Sequence, residues 1–109
     1  MKNPERVCVL GKWIDIVYKE TIENSDGVLL GLYDEEKYII YIKSGMSEEE
    51  TFKTIIHEIG HALLRISALY EIIGSKAEEA ICRILENYSD FFIWDNKSNV
   101  IKFSNKQKR

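Results

Sequence analysis

Along the first half of the chain, apolar residues recur with the short period of β-strands. Val7 to Leu10 is a brief apolar run, and Gly11-Lys12 offers a turn. Trp13-Ile14-Asp15-Ile16-Val17-Tyr18 follows, rich in β-branched and aromatic residues. Asn24-Ser25-Asp26-Gly27 is a turn signal. Val28 to Tyr33 reads as the next strand, where Gly31 marks a bulge or a close backbone approach. Asp34-Glu35-Glu36-Lys37 is a tight connection to Tyr38-Ile39-Ile40-Tyr41-Ile42, the clearest strand of the chain. Connections this short predict an antiparallel sheet, because parallel pairs need a long crossover.

The period then changes. Ser47-Glu48-Glu49-Glu50 has the form of a capping box, in which the Ser47 hydroxyl accepts from a free backbone N–H and Glu50 reaches back. Phe52, Ile55, Ile56, Ile59, Leu63 and Ile66 then follow at helical spacing. A second capping box, Ser75-Lys76-Ala77-Glu78, precedes Ala80, Ile81, Ile84, Leu85, Tyr88 and Phe92 at the same spacing, with Gly74 in the connection. Val100-Ile101-Lys102-Phe103 reads as a last short strand. The expected class is α+β: a small antiparallel sheet of 3–4 strands, then two antiparallel helices.

Composition adds bounds. A chain of 109 residues is one domain's worth, so residues 1–109 are expected to form one domain, with 104–109 a frayed basic tail. A hydrophobic fraction of 45% with 30% charged residues fits a soluble globular class. The net charge of -3 gives no sign of a nucleic-acid partner. Cys8 and Cys82 form no CxxC pair, which predicts buried free thiols and a reducing compartment. No signal peptide and no apolar run of transmembrane length are present, so a cytoplasmic location without a membrane partner is expected. No signal fixes the oligomeric state.

The chemistry is concentrated in His57-Glu58-Ile59-Gly60-His61, an HExxH signature that holds both histidines of the protein. Two histidines four apart on a helix lie one turn apart on one face, where both imidazoles reach a single tetrahedral Zn2+. Glu58 projects beside that face, in the position of a general base acting on water. Gly60 costs about 1 kcal/mol of helix propensity relative to Ala, which points to close approach of a neighbouring element.

A catalytic zinc site takes three protein ligands and leaves a fourth position open. With no third His, a carboxylate or Cys82 must serve. In an antiparallel helix pair the residues level with His61 fall one to two turns into the second helix, which offers Glu78, Glu79 and Cys82; Glu86 lies further along. The order of preference is Glu79, then Glu86, Glu78 and Cys82. Glu78 competes as a cap, and Glu79 as an i,i+4 partner of Arg83. Glu86 and Asp90 share the Glu79 side of the helix and can hold a ligand His by its other ring nitrogen.

The segment Thr54-Ile55-Ile56-His57-Glu58-Ile59-Gly60-His61-Ala62-Leu63-Leu64 resembles the active-site helix of ImmA/IrrE-like metallopeptidases, especially short versions from phages and mobile elements. The similarity extends upstream through Gly31-Leu32-Tyr33-Asp34 and Tyr38 to Ile42, and covers about residues 13 to 92. The resemblance implies a minimal zincin-like core and a gluzincin-like site: His57 and His61 as ligands, Glu58 as base, and a downstream Glu ligand matched by Glu79. Cys82 stands where a small apolar residue is usual, and the helix-turn-helix or regulatory domain of larger members has no counterpart.

The expected function is a zinc-dependent endopeptidase acting on a protein or peptide substrate. The alternative is a non-catalytic zinc-binding interaction or regulatory module, its site closed by a fourth protein ligand such as Cys82. The strand Tyr38 to Ile42 is either a sheet edge beside the cleft or an interior strand. Tyr70 and Tyr88 are candidate oxyanion donors whose ordinary role is core packing.

Overall fold

The computed structural model describes residues 3–87, 92–95, 97 and 100–103. Its elements are β1 (Arg6–Val9), β2 (Lys12–Lys19), β3 (Ile22–Asn24), β4 (Gly27–Leu29), β5 (Gly31–Asp34), β6 (Ile39–Lys43), α1 (Glu48–Ile66), α2 (Tyr70–Asn87), β7 (Phe92–Asp95) and β8 (Val100–Phe103). The α+β class holds: a largely antiparallel sheet packs on α1, α2 packs against α1, and β3 and β4 form a separate two-stranded sheet.

The main sheet is larger and more mixed than local spacing predicts. Its order is β5-β6-β2-β1-β8-β7. β2 and β6 are parallel, as are β1 and β8. The excursion through β3, β4 and β5 supplies the crossover that a parallel β2–β6 pair requires. The run expected as one strand from Val28 to Tyr33 divides at Leu30, one part in each sheet. Phe92, expected to end the second helix, belongs to β7 instead.

Alternation decides which face of the sheet is core. Val7, Val9, Ile14, Ile16, Ile40 and Ile42 point inward and are buried, with Ile101 of β8 beside them. Ile55, Ile56 and Ile59 of α1 pack onto this layer. Full burial of one such Ile is worth about 1.5–3 kcal/mol. The opposite face of β2 carries Trp13, Asp15 and Val17, all exposed.

α1 begins where expected. The Ser47 hydroxyl accepts from the Glu50 backbone N–H at 3.1 Å, and Glu48, Glu49 and Glu50 occupy the first turn, where the helix dipole favours acids. In α2 the backbone breaks at Gly74, with φ 80° and ψ 170°, a conformation suited to Gly. The second capping box is not used as expected: the Glu78 carboxylate turns to His61 and Arg65 rather than back to Ser75.

The two cysteines are free. Cys82 is buried as expected, whereas Cys8 is exposed on β1. Among the described residues, no helix is long and apolar enough to cross a membrane. Tyr88, Asp90 and the 104–109 tail lie outside the described residues.

Candidate metal centre

α1 and α2 run antiparallel: His57 meets Glu86 while His61 and Arg65 meet Glu78. The helices come close because Gly60 has no side chain. A Cβ there would lie 2.9 Å from Cys82 Sγ, 3.2 Å from Cys82 Cα and 3.2 Å from Leu85 Cδ1. This is the close approach that Gly60 predicts. Gly31 plays the same part on the other flank of α1, where a Cβ would stand 2.7 Å from Thr54 Cγ2 and 3.1 Å from Glu58 Cγ. Two glycines thus let α2 and β5 press against the helix that carries the histidines.

Both imidazoles are held between carboxylates. His57 Nδ1 is 2.6 Å from Glu86 Oε1, and its Nε2 is 3.0 Å from Glu79 Oε1. His61 Nδ1 is 2.7 Å from Glu78 Oε2, and its Nε2 is 3.4 Å from Glu79 Oε2. One Glu79 carboxylate therefore faces Nε2 of both rings. Glu79 also lies 3.8 Å from Arg83 Nε in an exposed i,i+4 pair, so the structural role weighed for it coexists with the facing of the histidines. Glu86 falls on an imidazole Nδ1, as its side of the helix predicts.

This arrangement has a donor deficit. A neutral imidazole has one N–H and one lone pair. If Nδ1–H is given to Glu86 or Glu78, each Nε2 presents a lone pair to a Glu79 oxygen. Such contacts need a further proton, on the rings or on a carboxyl, or a cation between the rings and Glu79. Glu58, Glu78, Glu79 and Glu86 crowd the same region, against Arg65 on Glu78 and the exposed Arg83 beside Glu79. The donor set suits a divalent cation that accepts nitrogen and oxygen ligands.

His57, His61 and Cys82 each offer a ligand atom within 4.8 Å of the others and form a group that can hold a metal ion. Burial, followed by the fields of Glu79, Glu58, Glu78 and Glu86, pushes the Cys82 thiol up to about 12. It is fully buried beneath Gly60, whereas the Glu79 carboxylate opens toward solvent.

Glu58 is buried at 7% exposure. Burial pushes its carboxyl above the usual carboxylate range; His61 and His57 oppose the shift, Glu79 adds to it, and a Tyr33 backbone hydrogen bond lowers it. The Tyr33 hydroxyl is buried without a hydrogen-bond partner among the described residues.

A cleft of about 520 Å³ opens between β5 and the helices, lined by Gly31, Tyr33, His57, Glu58, His61 and Arg65 among others. A second hollow of about 250 Å³ lies toward Thr54 and Glu86. The two share Leu29, Gly31, His57 and Glu58, so open space extends from Glu58 in two directions. The strand beside this space is β5. β6 pairs with β5 and β2 and is interior, which decides between the two readings of Tyr38 to Ile42 in favour of the interior strand.

Arg65 carries no chemistry in a sequence reading, yet it lines the cleft and binds Glu78. Its spacing was the available signal, since His57, His61 and Arg65 recur every four residues on one helix face. Tyr70, weighed as an oxyanion donor, lies under the Arg65 guanidinium at 4.1 Å. In comparisons with known proteins, the chain matches no protein-family model, no curated protein and no solved structure.

Proposed function

We propose that this protein is a zinc-dependent endopeptidase in which His57, His61 and Glu79 hold the metal and Glu58 acts as general base. The observation that carries this reading is the convergence of His57 Nε2 and His61 Nε2 on one Glu79 carboxylate, at 3.0 and 3.4 Å, with both Nδ1 atoms already held by other acids. Those outer bonds orient the rings and leave Nε2 free to ligate. Glu79 over Cys82 is supported by solvent access: the Glu79 side chain is partly exposed, whereas Cys82 is fully buried beneath Gly60.

A zinc ion held there supplies a Lewis acid and lowers the pKa of bound water. The chain's own part is proton handling and positioning. Glu58, next to the first ligand, takes the proton from water at its carboxylate and returns it to the leaving nitrogen. Its raised pKa suits both halves of that exchange. Endopeptidase rather than exopeptidase activity is supported by the open space on both sides of Glu58, which leaves room for chain in both directions. Membership of an ImmA/IrrE-like, phage-type family belongs to the same proposal and rests on the motif and the order of strand, strand and active helix.

One observation favours a second reading. Cys82 lies within ligand reach of both histidines, so His57, His61, Glu79 and Cys82 together would close the site. That arrangement suits a non-catalytic zinc module that binds a regulatory partner. Zinc content after dialysis, followed by cobalt substitution, separates the two. The peptidase reading predicts one metal per chain with no thiolate-to-cobalt charge-transfer band. A strong band would favour the closed module, and absence of bound metal would sink both.

A further inference from the structure

Arg65 stands one helical turn beyond His61 and forks onto Glu78, with Nε 3.3 Å from Oε2 and Nη2 3.1 Å from Oε1. The same Glu78 Oε2 lies 2.7 Å from His61 Nδ1. The guanidinium is itself fixed: Tyr70 lies under it at 4.1 Å, and Nη1 is 3.9 Å from Glu35 on the turn after β5. Planar guanidinium matches a carboxylate in two parallel bonds, which a Lys ammonium cannot reproduce. Glu78 is buried at 3% exposure and is the sequence neighbour of Glu79. A buried carboxylate next to a cation site is a competitor for that cation. Arg65 occupies both of its oxygens and leaves one direction open, toward His61 Nδ1.

We propose that Arg65 is a positioning residue for the metal centre: by clamping both oxygens of Glu78, it keeps that carboxylate on His61 and leaves the metal to Glu79. The inference rests on the reading of His57, His61 and Glu79 as ligands. It explains how two adjacent glutamates on α2 take different parts. It also separates the two histidines, because Glu86, the partner of His57, has no Arg partner among the described residues.

The test is zinc affinity of the full chain, measured by competition with a chromophoric chelator, for wild type, Arg65→Met and Arg65→Lys. Loss of an outer partner of a metal ligand typically weakens affinity about 10–100-fold, and that loss is expected for R65M, with partial recovery in R65K. R65M within twofold of wild type would overturn the inference and leave the metal site standing. Wild type without bound zinc would overturn the metal reading itself. The same pair of measurements in a Glu78→Gln background isolates the route. If Arg65 acts through Glu78, R65M adds less than twofold there. An equal loss in both backgrounds would contradict action through Glu78, and this comparison stands even where R65M lowers the melting temperature of the metal-free chain.

Discussion

His57 and Glu79 face one another at 3.0 Å through Nε2 and Oε1, while the other nitrogen of His57 is held at 2.6 Å by Glu86. A single ring is thus oriented from behind and offered to a carboxylate in front. If a metal is shared by this pair, Glu79→Ala removes a ligand and Cys82→Ala does not. Isothermal titration with zinc is expected to show at least a 10-fold weaker site for E79A, on the scale of a lost outer partner or more. C82A should stay close to wild type. The reverse ranking would move the third ligand from Glu79 to Cys82.

Gly60 is the contact point of the helix pair. A methyl group there meets Cys82 Cα at 3.2 Å, which is backbone and cannot swing aside. Overpacking of this kind costs about 1–3 kcal/mol, outweighing the gain in helix propensity of about 1 kcal/mol from Gly to Ala. Gly60→Ala is therefore expected to lower stability in urea denaturation, although a surface Gly→Ala in a helix would raise it. A stabilised G60A chain would mean that α2 does not pack as described.

These two relationships mark how far the sequence could be read. The capped helix, both histidines, Glu58 and the close approaches at Gly31 and Gly60 were legible because each depends on residues within one or two helical turns or on the absence of a Cβ. Glu79 was reachable by counting turns along an antiparallel partner. Sheet order was not legible: β2 joins β6 in parallel, and β1 joins β8, through pairings that no local spacing encodes. Glu78 was misassigned for a related reason. Its capping pattern was genuine, but Gly74 breaks the backbone before it and Arg65 offers a stronger, charged partner. Arg65 belongs to no motif in the sequence, and its part depends on α2 lying alongside.

The burial of Glu58 leaves a signature in pH. Its folded pKa lies above the ordinary 4.5, so the ionised form is disfavoured in the folded chain. A group raised in this way contributes stability below its unfolded pKa and loses it as pH rises through the folded value. Glu58→Gln has nearly the same shape and does not ionise. In the metal-free chain, the melting temperature of E58Q minus that of wild type should therefore grow from acid toward neutral pH and then level off. A difference that is flat with pH would mean that Glu58 is not desolvated.

The Tyr33 hydroxyl is buried without a partner among the described residues, and its pKa is raised by burial and by the nearby Tyr38, Glu35 and Asp34. Leaving a buried polar group unsatisfied costs about 1–3 kcal/mol. Tyr33→Phe removes that group with little change of shape and is expected to be neutral or stabilising by about 1 kcal/mol in chemical denaturation. A loss of more than about 1 kcal/mol would show that the hydroxyl has a partner in solution.

If Glu58 handles a proton in a zinc-dependent cleavage of peptide bonds, loss of its carboxylate must stop the cleavage and leave the zinc in place. The most direct measurement loads wild type and Glu58→Gln with zinc, incubates each with a complex peptide mixture, and maps new termini by mass spectrometry. One zinc per chain is expected in both proteins, with internal cleavage by wild type and cleavage by E58Q reduced by at least about 100-fold, the lower range for loss of a general base. Zinc-loaded wild type that makes no new termini, or an E58Q chain that cuts as fast as wild type, would contradict this role of Glu58.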